Sequence, residues 1–384
     1  MIQRSAIVFV SMLALSASPA AAPFLPTDEA MVLEQLPVRS AVEDGDLMRL
    51  KAEAAAAPAS IEAASALAGA YYRISRREGD PRYLGYAQAA LAPWWEDADA
   101  PTQVLIARAR ILQSNHEFDR ALADLGKAIA REPGNANAIL IRATVETVQG
   151  KYAAARSTCS SLQGLSQDLY VLGCLASVEA VAGNSTLAKA ALLASLERGG
   201  EISPELRGWF ESLLGEIAER LGSTGVEAHF QAALAADPRD LYTIGVYCDW
   251  LLDQGRAADV IPLVEREKRV DGLLLRLAIA QKQLKLPEAE ASIAALRARF
   301  EASRARGDTV HRREEARFQL LLGNDAQAAL RLALENWNVQ KEPTDLRILA
   351  EAARAAGDAK ALDTIRRWLA DTRLEYRAVA EMVQ

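Results

Sequence analysis

The sequence QVLIARARILQSNHEFDRALADLGKAIAREPGN, residues 103–135, contains two helical patterns separated by a short polar turn. Apolar residues recur at intervals of three and four positions on both sides of the turn, which predicts two amphipathic helices. Ala109 lies in the first helix, seven positions before His116 in the turn, and Pro133 follows the second helix. Two antiparallel helices approach closely only where side chains are small, so this stretch predicts a helix hairpin that packs around Ala109.

The same arrangement returns along the chain with a period of about 34 residues. A set of glycines, each after an apolar helical stretch, is spaced by 33, 39, 33, 68 and 34 positions: Gly150, Gly183, Gly222, Gly255, Gly323 and Gly357. A small residue stands seven positions before each of them: Ala143, Ala176, Gly215, Cys248, Ala316 and Ala350. Because a lone hairpin leaves apolar surface that the next hairpin covers, the period predicts a solenoid.

The repeat resembles the tetratricopeptide repeat. The positions that carry the resemblance within residues 102–135 are Ala109, Leu112, Phe118, Ala121, Leu125, Ala128 and Pro133. The resemblance implies an all-α fold, a right-handed α-solenoid of antiparallel helix hairpins. The chain also resembles a set of exported bacterial tetratricopeptide proteins, a likeness that adds no activity. It is carried by GDPRYLGYAQAALAPWW (79–95), LLDQGRAADV (251–260), GDTVHRREEARF (307–318) and NWNVQKEPTD (336–345).

We predict four parts along the chain. Residues 1–21 are a secretory signal peptide, and residues 22–58 are a pre-solenoid segment with weak helices. Residues 59–342 are a solenoid of about eight hairpins, some of them degenerate, by the repeat period. Residues 343–384 are the last hairpin and a C-terminal capping helix.

The first residues have the order of a signal peptide: Arg4, an apolar core over residues 5–17, then small residues. The core is shorter than the roughly 20 residues that cross a bilayer, so we expect cleavage and no stable membrane insertion afterwards. Export to the periplasm is the favoured expectation, with the external medium as the alternative.

Three cysteines follow in a chain that we expect to reach an oxidising compartment. Cys159 and Cys174 fall on neighbouring helices of successive repeats, so they either form a disulfide or are two buried thiols. Cys248 occupies a helix-packing position and is expected to be inert core.

Catalytic and cofactor motifs are absent from the sequence: it has no phosphate-binding glycine loop, nucleophile elbow, H-E-x-x-H or calcium loop. We therefore expect no cofactor and no metal. The net charge of -7 and the lack of a lysine and arginine block argue against nucleic acid as a partner.

The segment HRREEARF, residues 311–318, is the strongest candidate for chemistry. His311, Glu314 and Glu315 share one helix face and could hold a metal ion or transfer a proton. The preferred interpretation is the charged first turn of a helix, in which the glutamates complement the helix dipole. The three side chains lack the converging partners that an active site requires.

The resemblance implies that the first helix of each hairpin lines a concave groove in which protein or peptide segments bind. The repeat register gives the groove residues Arg110, Asn137, Tyr170, Trp209, Tyr242, Asp249, Arg313, Arg317, Arg347 and Glu351. The cluster of Arg313, Arg317 and Arg347 suits an acidic peptide segment, or these arginines pair with acids inside the protein. The three aromatic residues are the only indication of a glycan ligand.

The leading hypothesis from the sequence is a non-catalytic exported scaffold that binds protein or peptide segments, as an adaptor or assembly subunit of the bacterial envelope. The alternatives are an enzyme or metal site around His311, Glu314 and Glu315, and a scaffold for glycan export.

Overall fold

The computed structural model of the chain describes residues 41–198, 202–307 and 310–384. The predicted signal peptide and residues 22–40 of the predicted pre-solenoid segment lie outside the described residues. The described part contains 20 α-helices, two short 3-10 turns and no strand, which confirms the predicted all-α solenoid of helix hairpins. None of its helices combines the length and the apolar character that a membrane span needs.

The helices follow one another with short connections. Their bounds are α1 Ala41–Ala56, α2 Ile61–Glu78, α3 Arg82–Ala90, α4 Thr102–Ser114, α5 Phe118–Arg131, α6 Ala136–Val148, α7 Tyr152–Ser160, α8 Asp168–Glu179, α9 Ser185–Glu197, α10 Pro204–Leu221, α11 Val226–Ala236, α12 Leu241–Asp253, α13 Ala257–Val264, α14 Asp271–Gln283, α15 Ala289–Ala305, α16 Arg312–Leu321, α17 Ala326–Val339, α18 Pro343–Ala356, α19 Ala359–Thr372 and α20 Arg377–Met382. Helices α2 to α17 form eight successive hairpins, and α18 and α19 form a ninth.

The small residues of the repeat lie where the two helices of a hairpin cross. Ala109 of α4 and Ala121 of α5 are both fully buried. At the same position of α10, a Cβ on Gly215 would lie only 2.6 Å from the Phe230 ring of α11. A larger side chain at these positions would push the helices apart, because a packed core has no free volume.

Each hairpin turn depends on one residue with a left-handed backbone. Gly150 and Gly255 have φ of 74° and 70°, and the residue after each donates its N–H to the carbonyl five positions earlier. Three turns without a left-handed glycine use His116, Lys285 and Asn324 instead, at φ of 55° to 59°. The degenerate repeat of α14 and α15 therefore keeps the turn geometry even though its sequence lacks the glycine.

The solenoid coils far enough for distant hairpins to touch. Gly79, at the end of α2, packs against Val270 and Leu241, which precede α14 and begin α12. A Cβ on Gly79 would lie 2.7 Å from Val270 Cγ2. The first described hairpin therefore meets the sixth and seventh, and the inner face of the coil encloses space.

The C-terminal helices cover one edge of this coil. The N–H of Lys341, before α18, donates to the carbonyl of Val148 at the end of α6 at 2.7 Å. Trp368 of α19 packs against Gly150, and Arg373 packs against Gly183. Apolar residues of α16 to α20 share one buried core with residues of α6 to α8. The last hairpin is therefore folded back onto the middle of the solenoid.

The contact between Trp368 and Gly150 generates a stability prediction with a matched control. Gly150 and Gly255 occupy equivalent turns with the same backbone, but a Cβ on Gly150 would lie 2.5 Å from the Trp368 ring, whereas a Cβ on Gly255 meets nothing within 4 Å. We expect Gly255→Ala to lower the free energy of unfolding by about 1 kcal/mol, the cost of the left-handed backbone alone. Gly150→Ala should cost about 2 kcal/mol more, because it also overpacks the C-terminal hairpin.

Urea denaturation of both variants beside the wild type measures the two losses. Equal losses would contradict the packing of α19 on the α6–α7 turn.

Candidate binding cavity

A cavity of about 520 Å³ lies inside the coil. Its walls are formed by the first helices α6, α8, α10 and α12. Arg76 of α2 borders it as well, and the connection between α17 and α18, residues 341–343, also lines it. The covering by the C-terminal hairpin thus turns an open groove into a partly enclosed site.

Two aromatic residues of the predicted groove lie in this cavity. Trp209 of α10 is seated against Gly173 of α8, where a Cβ would lie 2.6 Å from the Trp209 ring. Tyr242, in the first turn of α12, is 47% exposed, and it lines the cavity. Tyr170 is half-buried against the core of α8 to α10 and does not line the cavity. Only two of the three predicted aromatic residues therefore meet.

A carboxylate stands beside these two rings. The Tyr242 hydroxyl donates to Oε2 of Glu216 at 3.0 Å, and Nη1 of Arg220 lies 3.6 Å from the same oxygen. Burial raises the pKa of Glu216, and Arg220 opposes that shift. Burial and the Glu216 carboxylate raise the pKa of Tyr242 well above its ordinary value. The hydroxyl is therefore a hydrogen-bond donor at any physiological pH.

The charges that border the cavity are mainly acidic. Glu205 and Asp237 are exposed there and have no ion pair within the described residues. Arg76 is exposed and likewise has no ion pair there. Glu342 is held by Arg313, at 2.8 Å. Arg220 is almost fully buried, and one of its nitrogens donates to the carbonyl of Ala180.

The arginines predicted to face the groove are paired inside the protein. Arg317 and Arg276 lie 2.5 and 2.6 Å from the buried carboxylate of Asp249. Burial alone would raise the pKa of Asp249, but these two arginines outweigh it and lower the pKa below its usual value. Arg313 lies 2.8 Å from Glu342. These guanidinium groups are occupied by internal partners, so they do not support the predicted acidic segment.

Arg347 connects three helices. It forms two bonds with Asp253 at the end of α12, at 2.5 and 2.6 Å, and one with Glu351 at 2.7 Å. Its Nη1 also lies 3.8 Å from Glu219 of α10. Arg347 therefore joins the C-terminal hairpin to the coil, and Arg347 and Glu351 border a small hollow of about 50 Å³ beside the cavity.

The remaining groove residues lie nearer the N-terminus. Arg110 donates to the side chain of Asn137 at 2.5 Å and stands 5.9 Å from the ring centroid of Tyr72. These residues line a separate open hollow of about 330 Å³. The structure thus distributes most of the predicted groove residues over three places, which are the cavity and these two hollows.

The candidate site in residues 311–318 is split between different partners. Glu315 pairs with Arg304 of α15, and Glu314 lies 3.2 Å from Arg313. His311 is the residue before α16. Within the described ranges, no three His, Cys, Asp or Glu side chains are arranged to hold a metal ion. The repeat register places Arg312 and Glu315 at positions where earlier repeats have leucines. Each of them pairs with a neighbouring helix, Glu315 with Arg304 as above and Arg312 with Glu335 of α17 at 3.2 Å.

The other two histidines have local contacts. His116 stacks on Phe118 with 5.4 Å between ring centroids, and burial lowers its pKa to about 4, assisted by Arg313. Nδ1 of His229 lies 2.7 Å from a carboxylate oxygen of Glu211.

Cys159 and Cys174 form a disulfide between α7 and α8, with Cα atoms 5.6 Å apart. Both residues belong to the cavity wall. Cys248 is buried, and burial raises the pKa of its thiol to about 12.

Some cavity residues could not be found from the repeat register. Arg76 belongs to a hairpin four repeats away from Trp209, and Lys341 and Glu342 lie in a connection between hairpins. They reach the cavity only because the chain coils and folds back, which leaves no local sequence signal.

No family model matches the chain, and no curated protein matches it. Among solved structures, the human IFIT1 dimer with m7Gppp-AAAA is similar to the chain at 14% identity and a TM-score of 0.46, over 88% of this chain and 85% of that one. A tetratricopeptide repeat protein from Parabacteroides merdae has 14% identity and a TM-score of 0.36, over 73% and 98%. Yeast Tom70 has 12% identity and a TM-score of 0.32, over 89% and 87%. Likenesses this weak carry no argument about function.

The disulfide gives a prediction about thiol content and stability. In the unfolded, non-reduced protein we expect one alkylated thiol per chain, Cys248, and three after reduction. Replacing both bonded cysteines by alanine should lower the free energy of unfolding by about 3 kcal/mol, because the bond closes a loop of 15 residues in the unfolded chain. Mass spectrometry and urea denaturation give the two readings. Three reactive thiols without reduction would contradict the bond.

Glu219 gives a prediction about pH. Burial raises the pKa of Glu219 from 4.5 to about 7; Arg347 and Arg220 oppose this shift, whereas Asp253 and Glu216 add to it. An acid with a raised folded pKa binds its proton more tightly in the folded state, so stability is lost as pH rises from about 4.5 to about 7. Glu219→Gln removes this loss. The free energy of unfolding of the variant, relative to that of the wild type, should therefore rise by up to about 3 kcal/mol between acid and mildly alkaline pH.

The measurement is a series of urea melts across that range. Glu381→Gln, at an exposed pair with Arg377, is the control for a changed net charge. A difference between Glu219→Gln and wild type that stays constant with pH would contradict the burial of this carboxyl group.

Proposed function

We propose that the protein is a non-catalytic scaffold that binds a protein or peptide segment inside its coil. The observation that carries the proposal is the cavity of about 520 Å³ with Trp209 and Tyr242 in its lining. Its volume lies within the usual range for ligand sites, roughly 300 to 1,000 Å³. Aromatic rings that remain accessible in a cavity offer large contact area at a low entropic cost.

The chemistry of the lining supports binding rather than catalysis. The candidate acids Glu314 and Glu315 are neutralised by arginines, and Cys248 has a raised pKa and is buried. The polar groups on the cavity side of α6 and α8 are hydroxyls. Thr144 and Ser177 donate to carbonyls of their own helices, at 3.0 and 2.9 Å. Such a wall suits an amphipathic segment, because it offers apolar contact and hydrogen-bond acceptors, and these two hydroxyls bond to backbone carbonyls rather than to a general base.

We place this scaffold in the bacterial envelope, as an adaptor or assembly subunit after export. The order of residues 1–21 supports export, because it has the basic, apolar and small-residue regions of a signal peptide. The disulfide supports the same compartment, since such bonds persist where the environment is oxidising.

The proposal is tested by blocking the cavity. A synthetic array of randomised dodecapeptides is the probe, and fluorescence polarisation gives the affinity of the tightest binder. Thr144 is exposed to the cavity, so Thr144→Trp fills the site without disturbing the core, and we expect at least a tenfold loss of affinity.

Thr364→Trp is the matched control. Thr364 also donates to the carbonyl four residues earlier, but it lies on α19 away from the cavity. Its affinity should stay within twofold of the wild type. Wild-type affinity in Thr144→Trp, or no dodecapeptide bound at all, would refute the cavity as the binding site.

A further inference from the structure

Trp209, Glu216 and Tyr242 lie together at one corner of the cavity. Trp209 and Glu216 are seven residues apart on α10, which is two turns, so both project from the same face of the helix. Tyr242, on the next first helix, is bonded to Glu216 through its hydroxyl. The corner therefore combines two aromatic rings with one carboxylate.

Only one of the two oxygens of the Glu216 carboxylate has a partner in the protein. Both of its contacts, the Tyr242 hydroxyl and the Arg220 guanidinium, involve Oε2. Within the described residues Oε1 accepts no hydrogen bond, and it is not a fully buried atom. An oxygen that faces a cavity and accepts no hydrogen bond from the protein is open to a donor of the ligand, and a cationic donor makes the stronger bond.

Arg220 does not neutralise Glu216 fully. Its Nη1 is 3.6 Å from the carboxylate, beyond an ordinary hydrogen bond, and its Nη2 donates to Ala180. Burial raises the pKa of Glu216, Glu342 and Asp240 add to the shift, and Arg220 and the Tyr242 hydroxyl oppose it. A second cation beside Oε1 would favour the ionised carboxylate.

The charges at the border of the cavity also favour a cationic ligand. Glu205 and Asp237 carry exposed negative charges without an ion pair among the described residues. The opposing charges are Arg76 and Lys341, beside the buried Arg220. Aromatic faces attract cations as well, by about 0.5 to 2 kcal/mol. The two rings, the free oxygen of Glu216 and the acids at the border therefore all favour a positively charged ligand.

We propose that this corner binds the basic side chain, lysine or arginine, of the segment held in the cavity, with its ammonium or guanidinium donating to Oε1 of Glu216 and lying against Trp209 and Tyr242. The inference rests on the proposed function and adds the class of residue that the site recognises. It replaces the acidic partner expected from the sequence with a cationic one.

The test uses the tightest dodecapeptide from the array. Each lysine in it is exchanged for acetyl-lysine and each arginine for citrulline, and both exchanges remove the positive charge. In the wild type, one such exchange should reduce the affinity at least tenfold. In Glu216→Gln, which keeps an acceptor for Tyr242, the same exchange should change the affinity less than twofold.

Glu381→Gln is the matched control, because it removes one exposed charge far from the cavity, and it should behave like the wild type. The melting temperature of each variant checks that the fold is intact. Spermidine and N-acetyl-lysine methylamide, added alone, distinguish a basic side chain on a peptide from a free amine.

Three results would overturn the inference and leave the proposed function intact. The tightest peptides could lack basic residues or be rich in acids. The penalty for losing the charge could be equal in wild type and Glu216→Gln. The small amines could bind as tightly as the peptide. Failure of the proposed function has another signature, since no peptide would then bind or Thr144→Trp would have no effect.

Discussion

The ion pair between Arg347 and Asp253 joins parts of the chain that are 94 positions apart. The Arg347 side chain is only 17% exposed, so its charge depends on Asp253 and Glu351 to offset its desolvation, whereas Asp253 lies at the surface. The pair places α18 against the end of α12 and, through Glu219, beside α10. Once α18 lies there, the connection before it reaches Val148 and Glu342 borders the cavity. The enclosure of the site follows from that arrangement.

The hairpins could be read from the sequence because their causes are local. Gly215 must be small since Phe230 lies 15 positions away on the paired helix, and both fall within one period of the repeat. The substitute turn residues were harder to foresee. Lys285 adopts the left-handed backbone in a repeat without the glycine, because the two helices that it joins are held by their own packing.

The candidate site was only partly predictable, for a related reason. The register directs Trp209, Tyr242, Arg317 and Arg347 toward the inside of the coil, where the first two line the cavity and the two arginines line the small hollow beside it. It contains no information about what lies opposite them. Asp249 and Asp253 stand opposite those arginines because the solenoid coils and returns, and the pairs span 68 and 94 positions. A period describes neighbours, whereas a site inside a coil is made by residues that are not neighbours.

The backfolded C-terminal hairpin changes how the chain acquires its structure. In an open solenoid each repeat contacts only the adjacent ones, so folding spreads from any point and terminal repeats can fray independently. Here the core of α6 to α8 is completed by α16 to α20, which are synthesised after those helices. The middle repeats therefore expose apolar surface until α16 to α20 have been made, and long-range contacts of this kind slow folding and favour aggregation of the unfinished chain. The completed molecule should consequently unfold as one cooperative body, without the stepwise loss of end repeats that a linear array shows.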